Sequence, residues 1–279
     1  MRLGVTIFAT DRSMPVADLA RAAEERGFSS LYLPEHTHIP VSRRTPPPAG
    51  QAVLPDEYRR TLDPLVALSY AAAVTRTIGL GTGILLAAQR EPLVTAKAVA
   101  TLDHLSGGRV TLGVGFGWNV EEIEDHGVAY GSRRDVAREH VLAMRALWSR
   151  EEAAFDGRHV RFESSWSWPK PLSGPPVHLG GAAGPVLFAH IAEYADGWMP
   201  IGGRGIGAAL PALREACDKA GREMARIIPF GTIPSAEKLD HYAGLGIEEV
   251  VLGLPAGTAD EVLPVLDGYT AFLERPATG

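Results

Sequence analysis

Two patterns alternate along the chain. Short apolar runs, the mark of strands covered on both faces, are separated by longer segments in which apolar residues recur every three or four positions, the mark of amphipathic helices. The runs fall at residues 3–8, 30–33, 78–82, 110–114, 177–179, 197–200, 227–230 and 250–254. The helical segments fall at 15–26, 63–75, 92–105, 132–148, 184–194, 207–220, 235–245 and 258–273. Local chemistry agrees with these boundaries. Pro15 suits a first helical turn, Asp63-Pro64 reads as cap and first position, and Ser106-Gly107-Gly108 stops the third helix. Strict alternation predicts parallel strands. Eight strands with nothing left over predict an α/β fold with a closed (β/α)8 TIM barrel, rather than the alternative, an open doubly wound sheet. One domain over 1–279 is expected.

Three stretches interrupt the rhythm. Residues 34–60 hold six prolines and read as a lid or rim of a site, since long irregular loops in compact domains are often functional. Residues 119–130 read as a connecting loop. Residues 151–175, with Phe162, Trp166 and Trp168, read as an excursion with a small hairpin.

Composition narrows the classes. Of 279 residues 46% are apolar, enough for a large core, and the net charge is −6 with a pI near 5.9. No basic cluster with interleaved aromatics occurs, so nucleic acid and acidic membranes are not expected partners. The single cysteine, Cys217, falls in a helix, which excludes a disulfide framework and fits a reducing compartment. Asp11 and Arg12 cut short the first apolar run, so no signal peptide is expected, and no run is long enough to span a membrane. The expectation is a soluble cytoplasmic protein acting on a small molecule.

In a closed barrel the chemistry sits on the loops after the C-terminal ends of the strands. After the second strand come Glu35 and His36, a carboxylate and an imidazole able to orient each other and to move a proton near neutral pH. His36-x-His38 also invites a metal reading, but the later strands lack the further ligands such a site needs, so no metal is assigned. After the third strand, Gly81-Thr82-Gly83-Ile84 offers close approach to a flat ligand. After the fourth, Gly115-Phe116-Gly117-Trp118 does the same. Trp118 either packs on a bound ring or plugs the mouth, and of Glu121 and Glu122 one faces the pocket or both are solvated. That loop does not fit G-x-G-x-x-G, and no phosphate loop ending in Gly-Lys-Ser/Thr occurs. After the fifth strand, Gly180-Gly181-Ala182 opens a helix, where free N–H groups and the helix dipole suit an anion. Arg204, after the sixth, could meet an anionic group.

The stretch LDHLSGGRVTLGVGFGW, residues 102–118, resembles the signature of the bacterial luciferase-like oxidoreductases, and within them the branch that uses the deazaflavin coenzyme F420. The similarity runs from LGVTIF at the start to GIEEVVLGLP near the end. It implies a TIM barrel and hydride transfer between coenzyme F420 and an organic substrate. Related deazaflavin enzymes have an acid followed by His at the position of Glu35-His36, beside the coenzyme ring. The resemblance implies that His36 exchanges the proton and Glu35 orients it. It also implies a β-bulge with a non-proline cis peptide at Gly83-Ile84 behind the ring, and a coenzyme phosphate on Gly180, Gly181 and Ala182. A homodimer is common among such proteins. The rivals are an FMN-dependent monooxygenase on the same fold, a metal-dependent hydrolase and a non-catalytic ligand-binding barrel.

Overall fold

The computed structural model describes residues 1–48 and 52–273. Residues 49–51 of the 34–60 loop and 274–279 of the 1–279 domain lie outside the described residues. In chain order the strands are β1 (Arg2–Thr6), β2 (Ser30–Leu33), β3 (Gly79–Leu86), β4 (Val110–Gly115), β5 (Glu152–Asp156), β6 (Arg161–Trp166), β7 (Val177–Gly180), β8 (Gly197–Met199), β9 (Arg226–Ile227) and β10 (Glu249–Gly253). The helices are α1 (Val16–Glu25), α2 (Pro64–Ala72), α3 (Pro92–Ser106), α4 (Val120–Asp125), α5 (Arg133–Ser149), α6 (Pro185–Tyr194), α7 (Ile206–Lys219), α8 (Ala236–Gly244) and α9 (Ala259–Thr270).

Eight parallel strands run in the order β10-β1-β2-β3-β4-β7-β8-β9. The segment after β9 closes the ring. Val251 N–H donates to Pro229 O at 2.9 Å, Thr232 N–H to Val251 O at 3.0 Å and Gly253 N–H to Thr232 O at 3.1 Å. Pro229 has no N–H to give to a ladder, which is why the regular strand ends at Ile227, short of the expected 230, and only isolated bridges at Phe230 and Thr232 continue the pairing. β5 and β6 pair antiparallel as a separate hairpin, as the aromatic excursion suggested. The alternation therefore does build a barrel.

The caps explain several helix starts. Asp63 accepts the Val66 N–H at 3.0 Å with Pro64 in the first turn of α2. Glu91 accepts the Leu93 and Val94 N–H groups at the start of α3, and Gly107 ends that helix in the left-handed region at φ 75°. The main core lies between strands and helices. A second, smaller cluster fills the barrel itself: Tyr32, Met199, Ile228, Phe230 and Val251, with Ile84 against them. No helix among the described residues is long and apolar enough to cross a membrane.

Two elements differ from the sequence expectation. β3 runs on from Thr82 to Leu86 through a register shift between Thr82 and Leu85. The expected loop at 119–130 holds the six-residue α4, too short for its periodicity to stand out, with Ile123 as its buried anchor.

Candidate active site

The barrel mouth has two unlike sides. On the first, the loop after β2 faces α4. His36 Nδ1–H donates to Glu122 Oε2 at 2.9 Å, with side chains only 7% and 1% exposed. A carboxylate can only accept, so it fixes the proton on Nδ1 and leaves Nε2 as the basic nitrogen. Nε2 has no partner among the described residues. Two further contacts repeat the stitch: His38 Nε2 with Asp125 Oδ2 at 3.0 Å, and Thr37 Oγ1 with His126 Nε2 at 2.7 Å. Glu122, Asp125 and His126 stand three and four residues apart, hence on one face of α4. Burial, then the neighbouring His38, lowers the pKa of His126.

Glu35 does not take the role expected of it. It is buried at 3% exposure, and its oxygens accept the Leu86 N–H at 2.6 Å and the Arg90 Nε–H at 2.6 Å. Arg90 in turn donates to Asp63, the cap of α2. Glu35 thus clamps the end of β2 to the end of β3, and the carboxylate on His36 is that of Glu122. The sequence clue was the spacing E-x-x-D-H opposite H-T-H, hidden because 119–130 read as loop. Glu121 is drawn outward instead. Its oxygens accept from Thr45 Oγ1 at 2.6 Å and the Arg44 N–H at 2.7 Å, which hold its carboxyl at about 2. Asn119, next to Trp118, is buried with its whole amide unpartnered, as is Glu122 Oε1; of the two acids weighed from sequence, Glu122 is the one that turns inward.

The peptide between Gly83 and Ile84 is cis, as the resemblance implied. The glycines around it have a reason other than ligand approach. A Cβ on Gly81 would stand 2.2 Å from the Tyr32 ring, one on Gly83 2.2 Å from Phe230, and one on Gly115 2.0 Å from Ile84 Cδ1. The protein's own side chains fill those spaces, so these three glycines serve the packing of the barrel interior. The Thr82 hydroxyl is also engaged, donating to Gly113 O at 2.7 Å. Trp118 lies in the mouth, its ring 5.9 Å from that of His36 and 6.0 Å from that of Tyr58.

The other side of the mouth is made of backbone. Gly180 is tight against Ile84, at 2.9 Å from an added Cβ, whereas Gly181 has nothing nearer than Leu187 at 3.4 Å. Trp198 Nε1–H donates to Gly181 O at 2.9 Å and fixes the turn. Ala182 and Ala183 are exposed, and α6 starts at Gly184 with no side-chain cap. Pro185 has no N–H, so the amides available at the positive end of this ten-residue helix are those of Gly184, Val186 and Leu187. Arg204, on the neighbouring loop after β8, is exposed and has no partner among the described residues.

This arrangement fits a flat redox coenzyme with a phosphate. An open, uncapped helix start takes the anion, and orphaned polar atoms at Asn119 and Glu122 face no protein partner. Among the described residues no three His, Cys, Asp or Glu side chains group to hold a metal.

Comparison with known proteins agrees. The model of the luciferase-like monooxygenase family matches residues 4–247. An uncharacterized protein of Mycobacterium tuberculosis is 45% identical over 98% of this chain and 99% of its own. An F420-dependent glucose-6-phosphate dehydrogenase of Nakamurella multipartita is 31% identical over 75% of this chain, which spans 59% of that protein. Among solved structures, an F420-dependent secondary alcohol dehydrogenase, in complex with an F420-acetone adduct, superposes with a TM-score of 0.76 at 18% identity, covering all of both chains. By its barrel, its mouth and a family match over most of its length, this chain belongs to the luciferase-like monooxygenase family.

Proposed function

We propose that the chain is an F420-dependent oxidoreductase that interconverts an alcohol and a carbonyl compound. The observation that carries this reading is the His36–Glu122 pair: one ring nitrogen held by a buried carboxylate, the other free at the barrel mouth. Alcohol oxidation sheds a hydride and a proton, and the two need separate acceptors. Bound deazaflavin supplies the two-electron hydride chemistry. His36 Nε2 takes the hydroxyl proton, or returns it in reduction, while Glu122 steadies the imidazolium that forms. Such general acid–base help is worth roughly 10²–10⁴ in rate. The amides opening α6, with Gly181 and Ala182, hold the coenzyme phosphate, and Arg204 stands beside them. The Gly83-Ile84 segment supports the ring, and Glu35 positions that segment through the Leu86 N–H.

The test is equilibrium titration of the purified protein with oxidised coenzyme F420 and with FMN, followed by reduction with an alcohol panel. Saturable deazaflavin binding, with FMN ignored, supports the reading. FMN binding with deazaflavin ignored would move the chain to flavin-dependent oxygenation.

A further inference from the structure

The half of the mouth that carries His36 is walled by rings and carries more acids than cations. Phe8 and Tyr58 lie 4.7 Å apart by ring centroid, and Tyr58 lies 5.2 Å from His36 and 6.0 Å from Trp118. The four come from the loops after β1, β2 and β4, so their convergence is a product of the fold. Those loops and the one after β3 contain six arginines and no lysine, against ten acids. Five of the six are ion-paired. Arg12 and Arg59 pair with Asp56, and Arg60 with Asp56 and Asp11. Arg90 pairs with Glu35 and Asp63, Arg44 with Glu121, and Arg43 donates to Thr45 O. Glu57, beside Tyr58, has no cation of its own, and after burial it is the second cause that raises the phenol's pKa.

From this juxtaposition we infer that the substrate is an uncharged alcohol or carbonyl compound with an apolar ring or chain, and not a phosphorylated or carboxylated one. The inference deepens the function proposed above and rests on it for the reacting group. The physical reason is direct. An anion placed against this wall meets an excess of negative charge, whereas an apolar body meets three aromatic side chains. Arg204, an exposed cation with no partner among the described residues, lies after β8, across the barrel from β2, on the side of the glycine turn.

The test measures ligand binding directly, without turnover. Saturation-transfer NMR and calorimetry would compare cyclohexanone and cyclohexanol with glucose 6-phosphate, on the protein with and without deazaflavin, and on Tyr58→Ala and Trp118→Ala. The expected result is binding of the neutral pair, weakened about 10-fold in each variant, and none of glucose 6-phosphate. Tyr58→Leu serves if an alanine variant fails to fold. Binding of glucose 6-phosphate in preference, or neutral binding indifferent to both rings, overturns the inference. Deazaflavin binding, read on the same samples, separates failure of the cofactor reading from failure of this one.

Discussion

The two sides of the barrel mouth use different parts of the polypeptide. Around β2 and α4 the work is assigned to side chains: a buried His36–Glu122 pair, a second His38–Asp125 pair, and aromatic walls. Around β7 and α6 the side chains are withdrawn, leaving Gly181, Ala182 and an uncapped helix start. Chemistry that moves a proton needs a group with a tunable charge, and only a side chain supplies one. Holding a phosphate needs several donors converging on one point, which a helix terminus supplies without any titratable group. The contrast teaches that one site can be legible in residue identity on one side and only in backbone geometry on the other.

The contrast can be broken from either side. The largest expected effect is on turnover. His36→Ala should lower kcat by about 10³ while leaving deazaflavin affinity within a few-fold, measured by steady-state kinetics beside a titration. The reverse pattern is expected across the mouth. Ala182→Asp sets a carboxylate before the α6 amides and should weaken deazaflavin binding about 100-fold, with little change in thermal midpoint because Ala182 is exposed.

The next effect concerns the strand beneath that turn. His178 on β7 is 2% exposed with both ring nitrogens unpartnered, and burial holds its pKa down at about 4. An unfolded chain protonates the ring at about 6.5. Between those values the unfolded state binds the extra proton, so stability falls with falling pH, by about 2 kcal/mol between pH 6.5 and 5. Urea midpoints across that range should drop more for the wild type than for His178→Leu. The smallest effect sharpens the His36 side. Glu122→Gln keeps the shape but removes the charge that steadies the imidazolium, and should cost about 10-fold in kcat with substrate KM unchanged.

Much of this molecule could be read before its shape was known. Alternating periods of two kinds were enough for eight parallel strands, since both faces of each strand are covered and its run is apolar throughout. His36 was legible as a candidate because it stands just past the end of a barrel strand, where this fold carries its chemistry. Its partner was not, because α4 is shorter than the window in which helical periodicity can be counted, and Glu35 stood next to His36 in sequence. In the loop past β2 the two side chains part, Glu35 to the Leu86 N–H and Arg90, His36 to Glu122, so adjacency in sequence did not mean contact. The glycines were legible as glycines but not as to cause. A missing Cβ admits a ligand and a neighbour's side chain equally, and only the positions of Tyr32, Phe230 and Ile84 decide between them.

Ile84 carries that last point into the history such a sequence can have. Its Cδ1 lies 2.0 Å from where a Cβ on residue 115 would stand and 2.9 Å from one on residue 180. One methyl group occupies space that three strands could each claim. Drift at these positions is therefore ordered. Residue 84 must shrink before 115 can grow, since the opposite order passes through an overcrowded intermediate, whereas at 180 the nearest obstacle is the flexible Cδ1 tip. Descendants that place alanine or serine at 115 should carry valine or smaller at 84, a rule that sequences alone can confirm or break.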